Sequence, residues 1–118
     1  MKPFALVAAI AAVAVYSAAG AFASSAGSTL VGTVGPGFTI SLTQDGKSVT
    51  KLKAGDYTVK IEDKSDQHDF HLSGSTVNKL TSITGEGKWT WHVTLKKGTY
   101  KYMCDPHSAF MKGHFTVS

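Results

Sequence analysis

The sequence predicts an all-β protein: a single-domain antiparallel β-sandwich. From residue 38 to the end, apolar and polar residues alternate along several short runs, and this period of two is typical of strands with one buried face. Short segments with glycine and charged residues separate the runs, and no stretch after residue 23 has helical periodicity. About six to eight short strands at this spacing favour two packed sheets.

The first 23 residues have the pattern of a secretory signal peptide. Lys2 precedes an uncharged stretch over residues 4–19, and small residues then end in "AFA" at residues 21–23. This is the order of charged, apolar and cleavage regions in such signals. The apolar run is shorter than the roughly 20 residues that span a bilayer. We therefore expect cleavage after Ala23, rather than a retained anchor, and a location in the periplasm, the cell envelope or the medium.

Removing residues 1–23 from the 118 leaves 95, enough for one domain with one core. Residues 24–37 are rich in Ser and Gly and predict a flexible leader, so the domain is expected over residues 38–118. The chain has no arginine and its lysines are scattered. The chain therefore lacks the bidentate guanidinium that reads bases and phosphates, and we do not expect nucleic-acid binding. We expect a monomer with no stable membrane insertion once the signal is removed.

Three alternating runs define the first part of the domain: "FTISLT", "YTVKIED" and "KWTWHVTL". The turn sequences "QDGK", "KAGD", "TGEG" and "KKGT" lie near their ends. Alternation predicts that the following residues face the core: Phe38, Ile40, Leu42, Tyr57, Val59, Ile61, Trp89, Trp91, Val93 and Leu95.

The last part of the chain predicts a pair of strands joined by a loop. In "TYKYMC", Tyr100, Tyr102 and Cys104 share a face, and in "HFTV" Phe115 and Val117 point inward. Cys104 therefore ends a strand with its side chain toward the interior. The intervening loop "DPHSAFMKG" is expected to cap one end of the sandwich.

Cys104 is the only cysteine, so it cannot form an internal disulfide, and a free thiol in an exported protein is open to oxidation. His107 and Met111 follow it on the same loop. A thiolate, an imidazole and a thioether could converge there on one metal ion. One more strong ligand from another strand would complete the site.

The segment "SDQHDFHLSG" offers two candidates for that ligand, His68 and His71. His68 shares its parity with Phe70 and Leu72, which marks the inner face, whereas His71 shares its parity with Asp69. We predict His68 as the ligand. A bulge at the strand end would reverse the parity and favour His71 instead.

Two histidines, one thiolate and a more distant thioether are the ligand set of electron-transfer copper. Structural zinc sites use four Cys or His ligands, and a methionine there would be unusual. Four protein ligands leave no open position for substrate. The pattern therefore indicates a carrier and not an enzyme.

The stretch "GTYKYMCDPHSAFMKGHFTV" resembles the C-terminal strand, ligand loop and final strand of the type 1 (blue) copper proteins, the plastocyanin and amicyanin group of cupredoxins. The resemblance implies a Greek-key sandwich, one mononuclear copper, and electron transfer between redox protein partners. By position it implies that Cys104 and His107 are ligands, that Met111 is the axial ligand, and that His68 is the upstream ligand.

Two features depart from the family pattern. Asp69 follows His68, where the family usually has an asparagine. A carboxylate can only accept hydrogen bonds, and its charge near copper favours Cu(II), so we expect Asp69→Asn to raise the reduction potential. Three residues separate His107 from Met111, between the two of amicyanins and the four of plastocyanins, which leaves the axial bond length open.

Two other functions are compatible with a cupredoxin-like sandwich. A copper-delivery protein would hold the metal as cargo, but such proteins favour Met- or His-rich tracts, and this chain has only three Met and five His. A metal-free interaction module would not need the four candidate ligands, all of which are present. A multicopper oxidase needs further copper sites and a longer chain.

Overall fold

The computed structural model describes residues 28–118, which form ten strands and one 3-10 turn at Asp105–His107. The strands are β1 (Thr29–Val34), β2 (Ile40–Gln44), β3 (Lys47–Ser48), β4 (Lys51–Leu52), β5 (Gly55–Asp63), β6 (His71–Ser73), β7 (Asn78–Leu80), β8 (Gly87–Leu95), β9 (Gly98–Met103) and β10 (Lys112–Val117).

The strands form two five-stranded sheets packed as a Greek-key sandwich, as predicted. Sheet A has the order β3-β2-β1-β5-β8, and sheet B has the order β4-β10-β9-β6-β7. The sheets are mixed, so the expectation of purely antiparallel pairing is wrong in two places: β1 runs parallel to β5, and β4 runs parallel to β10. On its other edge, β1 is antiparallel to its neighbour in sequence, β2.

Strand β1 corrects the predicted leader. Residues 24–37 were expected to be flexible, yet Thr29–Val34 lie between β2 and β5, and Leu30 and Val34 are fully buried. The alternation was not recognised in this Ser- and Gly-rich segment because Gly32, which has no side chain, occupies the inward position between Leu30 and Val34. The signal peptide over residues 1–23 and cleavage after Ala23 fall outside the described residues.

The core lies between the sheets and contains Leu42, Val59, Ile61, Val93 and Leu95 as predicted by alternation, whereas Ile40, Tyr57, Trp89 and Trp91 are only partly buried against it and Phe38 is exposed. Trp89 and Trp91 are only partly buried because β8 is the edge strand of sheet A. Phe38 is 64% exposed. It precedes β2, which begins at Ile40, so strand alternation does not apply to it.

Tyr100, near the beginning of strand β9, has a fully hydrogen-bonded hydroxyl group. The Tyr100 hydroxyl donates to the Lys96 carbonyl at 2.8 Å and accepts from the Lys96 amide at 3.1 Å. It also lies 2.8 Å from the Thr76 hydroxyl and 3.1 Å from the Ser75 hydroxyl. These bonds fix the turn between β8 and β9, as a tyrosine corner does in other sandwiches.

Two glycines make room for the aromatic rings of β9. A Cβ added at Gly74 would collide with the Tyr100 ring, and one added at Gly113 would collide with the Tyr102 ring. Tyr102 also stacks on Phe70 with ring centroids 5.7 Å apart. The strand is thus anchored at both rings, and its next inward residue is Cys104.

In the described part of the chain, no helix has the length and apolar character needed to cross a membrane.

Candidate metal centre

The loop after β9 folds back on Cys104. Pro106 lies in the 3-10 turn, and the His107 amide donates to the Cys104 carbonyl at 3.0 Å. The Met111 amide donates to the His107 carbonyl at 2.9 Å, and the Cys104 amide donates to the Met111 carbonyl at 3.0 Å. These backbone bonds close the base of the loop and hold three candidate ligands close together.

The fourth candidate comes from the connection between β5 and β6. His68 is 3% exposed and Cys104 is fully buried. The Nδ1 atoms of His68 and His107 lie 3.1 Å apart, and the Cys104 Sγ atom lies 3.6 Å and 3.5 Å from them, respectively. Within residues 28–118, these three residues are the one group of His, Cys, Asp or Glu that could hold a metal ion.

The three donor atoms have the spacing of a trigonal site. A triangle with sides of 3.1, 3.5 and 3.6 Å has its circumcentre about 2.0 Å from each corner. In zinc sites, histidine nitrogens bind at about 2.0–2.1 Å and thiolates at about 2.3 Å. One ion near the centre of the triangle would therefore reach all three atoms with little movement of the chain.

Met111 lies at the base of the loop, next to the first residue of β10, and is 1% exposed. Its backbone contacts both Cys104 and His107. The thioether belongs to the same buried end of the sandwich, and its role as axial ligand stays a prediction.

His71 lies apart from the three donor atoms. Its Nδ1 atom is 2.9 Å and 3.1 Å from the Asp105 carboxylate oxygens, and its Nε2 atom is 2.6 Å from Asn78 Oδ1. Burial lowers the pKa of His71, but the contacts with Asp105 and Asn78 outweigh it and the net pKa is raised. Both ring nitrogens have partners in this network, so the structure brings His68 and not His71 to Cys104.

Asp69 ties the His68 segment to the cysteine loop. It is fully buried, although alternation placed it on the outer side, because residues 64–70 lie outside the strands. Its Oδ1 atom accepts the Asp105 amide at 2.6 Å, and its Oδ2 atom is buried without a hydrogen-bond partner in the described chain. Burial, together with the neighbouring Asp105 carboxylate, raises the pKa of Asp69 to about 6.

The Cys104 thiol is also in an unfavourable place for a negative charge. Burial raises its pKa, and the nearby Asp69 carboxylate adds to the effect. A bound cation reverses this balance, because a coordinating thiol is deprotonated outright. The buried sulfur is thus suited to a metal rather than to nucleophilic chemistry in water.

Two exposed aromatic rings cover the histidines. The Phe38 ring centroid lies 5.4 Å from that of His68 and 5.0 Å from that of His107. Phe110, 60% exposed, lies 5.6 Å from His107 and 5.7 Å from Phe38. Strand alternation predicted Phe38 as a core residue, whereas the structure places it over the metal centre. Its position directly before a strand, beside two glycines and a proline, was the available signal.

The donor set decides which metal fits. A thiolate and a thioether are soft ligands that suit Cu(I), and imidazole nitrogens suit Cu(II) as well. Trigonal His₂Cys sites with a weak axial Met belong to electron-transfer copper. Copper is therefore the cofactor that these residues fit.

Comparisons with known proteins agree with this assignment. The family model of copper binding proteins, the plastocyanin/azurin family, matches residues 38–118. Plastocyanin A/B of Petroselinum crispum is 32% identical over 75 residues, which cover 62% of this chain and 76% of that protein.

Solved structures show the same fold. Reduced rusticyanin aligns with a TM-score of 0.57 and 18% identity over 76% of this chain and 78% of its own. Reduced auracyanin from Roseiflexus castenholzii aligns with a TM-score of 0.55 and 18% identity over 77% of this chain and 97% of its own. With the family model covering more than half of the sequence, this chain belongs to the plastocyanin/azurin family of copper-binding proteins.

Proposed function

We propose that this protein is an exported blue-copper electron carrier that shuttles single electrons between redox partners. The observation that carries the proposal is the triangle of donor atoms from His68, Cys104 and His107, with sides of 3.1–3.6 Å. Met111 completes the proposed ligand set from the base of the same loop. The copper, when bound, supplies one-electron chemistry by cycling between Cu(II) and Cu(I).

The protein's part is to keep the donor atoms fixed. Cys104 is held by the backbone bonds at the loop base, and the Asp69 carboxylate joins the His68 segment to the same loop. Ligands that cannot move far impose one compromise geometry on both oxidation states. Little rearrangement then accompanies electron exchange, which suits a carrier.

The partner surface proposed for electron exchange surrounds His107. This histidine is half-buried, whereas the ligand candidates His68 and Cys104 are buried. The exposed rings of Phe38 and Phe110 flank it and form an apolar rim. Exposed apolar groups around a partly accessible ligand fit a transient protein contact better than a substrate pocket, which supports a carrier rather than an enzyme.

The sequence supports export. The charged, apolar and small-residue order of residues 1–23 is that of a secretory signal, and a single cysteine that ligates copper is protected from oxidation outside the cell. Mass spectrometry of the protein recovered after expression with its own N-terminus tests this part. The expected mature N-terminus is Ser24, and an intact residue 1 contradicts cleavage.

An absorption spectrum after Cu(II) loading tests the electron-transfer proposal. We expect an intense visible band from the copper-thiolate bond, reversible bleaching by a mild reductant, and loss of the band in Cys104→Ser. His92→Gln is the matched control, since His92 is exposed on β8 and should leave the band unchanged. A colourless protein that binds Cu(I) tightly would indicate a copper-delivery function, and a protein that binds neither ion would indicate an interaction module.

A further inference from the structure

The two sheets present outer faces of very different charge. The strands of sheet B contain four lysines and no Asp or Glu, whereas those of sheet A contain three lysines and three acidic residues. The sheet B lysines are Lys51, Lys79, Lys101 and Lys112; the sheet A residues are Lys47, Lys60, Lys88, Asp56, Glu62 and Asp63. Of these, Asp63 is buried, so two acidic residues remain on the outer side of sheet A. The net charge of the protein is therefore unevenly placed.

Strand register puts three of the four sheet B lysines, Lys51, Lys101 and Lys112, on one surface. Lys112 lies opposite Met103, which lies opposite His71, and Lys101 lies opposite both His114 and Ser73. Residues directly opposite across a strand pair point to the same face. The intervening Tyr100, Tyr102 and Phe115 are buried, so the cationic set is the outward one.

A third row extends this surface. Thr99 lies opposite Thr116, which lies opposite Lys51 on β4. Three outward lysines of sheet B, with two histidines beside them, form what we call the basic face: Lys51, Lys101, Lys112, His71 and His114. Lys79 lies opposite the buried Leu72 and is not part of this face. In the described part of the chain the one ion pair of this face is His71 with Asp105, so none of its three lysines is neutralised by a carboxylate.

The basic face is continuous with the metal centre. Its row nearest the ligand loop contains Met103, which precedes Cys104, and Lys112, which follows Met111. A molecule bound to this face would lie directly over β9, the strand that Cys104 follows. On sheet A, by contrast, Lys88 lies opposite Glu62, so these two charges offset each other.

Building on the proposed electron-carrier function, we propose that the basic face docks an acidic one-electron redox protein, whose carboxylates surround its own redox centre. Uncompensated lysines of one sign steer an oppositely charged protein and raise its association rate by about 10–1,000-fold at low salt. The encounter transfers one electron and no atoms. Nucleic acid fits less well because the chain has no arginine.

An anionic membrane also fits the face less well than a protein does. Three lysines near such a surface give only weak attachment. Apart from Leu80 at the edge strand, the outer surface of sheet B has no exposed large hydrophobic residue to insert.

The test uses the copper-loaded full chain in its Cu(II) form and reduced plant-type [2Fe–2S] ferredoxin, an acidic reductant, as the probe. The double variant Lys51→Glu with Lys101→Glu is compared with Lys60→Glu with Lys88→Glu, which makes the same charge change on sheet A. All four lysines are exposed, and none lies within two residues of a candidate ligand. Stopped-flow bleaching of the visible band gives the second-order rate constant at low and high ionic strength.

We expect the basic-face variant to react at least about 10-fold more slowly at low salt, the sheet A variant to change less than about threefold, and both to converge at high salt. Equal effects of the two variants would overturn the proposal, because total charge alone would then explain them. A neutral hydroquinone reductant should bleach all three proteins at the same rate, which shows that the copper site is intact.

A binding measurement keeps the two proposals separate. Backbone amide shifts of the isotopically labelled protein are followed during titration with oxidised ferredoxin, whether or not a blue band forms. Shifts along β4, β9 and β10 support the basic face even if the electron-transfer proposal fails, and shifts confined to sheet A overturn it. Sedimentation with phosphatidylglycerol vesicles that depends on Lys51 and Lys101, with no ferredoxin effect, would replace the protein partner by a membrane.

Discussion

The two ends of strand β9 differ in how completely their buried polar groups are hydrogen-bonded. At its beginning, the Tyr100 hydroxyl exchanges hydrogen bonds with both the amide and the carbonyl of Lys96 and contacts two further hydroxyls. Just beyond its end, Cys104 faces two imidazole nitrogens, and the buried Asp69 Oδ2 atom has no partner in the described chain. Three residues along the chain separate Tyr100 from Cys104.

We infer from this difference that the tyrosine end stabilises the fold, whereas the cysteine end is arranged to bind a metal ion. Neutral groups with complete hydrogen bonding favour the folded chain, whereas clustered donor atoms and a buried carboxylate cost stability. Such costs are usual where a site is preorganised for a ligand. The tyrosine end should therefore govern the stability of the metal-free protein, and the cysteine end should respond to copper, charge and pH.

Copper should produce the largest effect, and only through the cysteine end. At a free Cu(II) concentration 100-fold above Kd, binding adds about 2.7 kcal/mol to the free energy of unfolding, or about 10–20 °C in Tm for a domain of this size. Differential scanning calorimetry with and without Cu(II) measures the shift. Cys104→Ser should lose it, and a variant that keeps the full shift would show that binding does not involve the thiolate.

Tyr100→Phe should produce the largest loss of stability in the metal-free protein. It removes one hydroxyl that bonds to Lys96 and contacts Thr76 and Ser75, and we expect the free energy of unfolding to fall by about 2–3 kcal/mol. Chemical denaturation measures it. Tyr57→Phe removes a single bond to the Lys53 carbonyl and should cost less. A shift of the copper absorption band in Tyr100→Phe would contradict the separation of the two ends.

Asp69→Asn should stabilise the metal-free protein at pH 7 by about 1–2 kcal/mol. The pKa of Asp69 is raised by burial to about 6, above its unfolded value of 3.8, so its ionisation opposes folding. As pH rises from about 4 to 6, the free energy of unfolding of the native protein should fall because folded Asp69 has to ionise. The variant has no ionisable group at this position, so its free energy of unfolding should not fall for this reason. Denaturation at pH 4 and pH 7 compares the two proteins. An equal difference at both pH values would show that ionisation of Asp69 is not the cause.

The same variant sharpens the argument for copper. Removing a negative charge near the ligands disfavours Cu(II) relative to Cu(I), so the reduction potential should rise. The Asn carbonyl can still accept the Asp105 amide, which keeps the loops joined. Voltammetry of the native and variant proteins measures the potential, and equal potentials would remove the electrostatic explanation.

His71→Gln should have the smallest effect, below about 1 kcal/mol, because it removes one partly exposed ion pair. The pKa of His71 is raised, so its contribution is present below about pH 6.5 and is lost as pH rises through the raised value. Denaturation of both proteins at pH 5.5 and pH 9 tests this. The variant should keep the blue band, whereas His68→Gln should lose it, and the reverse result would make His71 the ligand.

Much of the fold and the candidate site follows from local sequence pattern. Tyr100, Tyr102 and Cys104 alternate inward because β9 is a regular strand, and the short spacing from Cys104 to His107 and Met111 keeps all three in one loop. Parity selected His68 over His71, and the structure brings His68 to Cys104, although residues 64–70 lie outside the strands.

The failures arise where side-chain position depends on contacts between distant segments. Alternation alone cannot show that β1 fills a gap between β2 and β5, since Gly32 interrupts its apolar series. Phe38 lies over His107 because two loops meet there, and Asp69 is buried because it accepts the amide of Asp105, 36 residues away. Contacts between segments so far apart in sequence cannot be predicted from the local pattern of residues.

The glycines that face β9 constrain how this sequence can change over time. Gly113 lies against the Tyr102 ring and Gly74 against the Tyr100 ring, each too close for a Cβ atom. A larger residue at either glycine becomes acceptable only after the tyrosine has shrunk, and losing the tyrosine first leaves a cavity. We therefore expect the two residues of each glycine–tyrosine pair to change together during evolution. An alignment of related sequences should show this covariation.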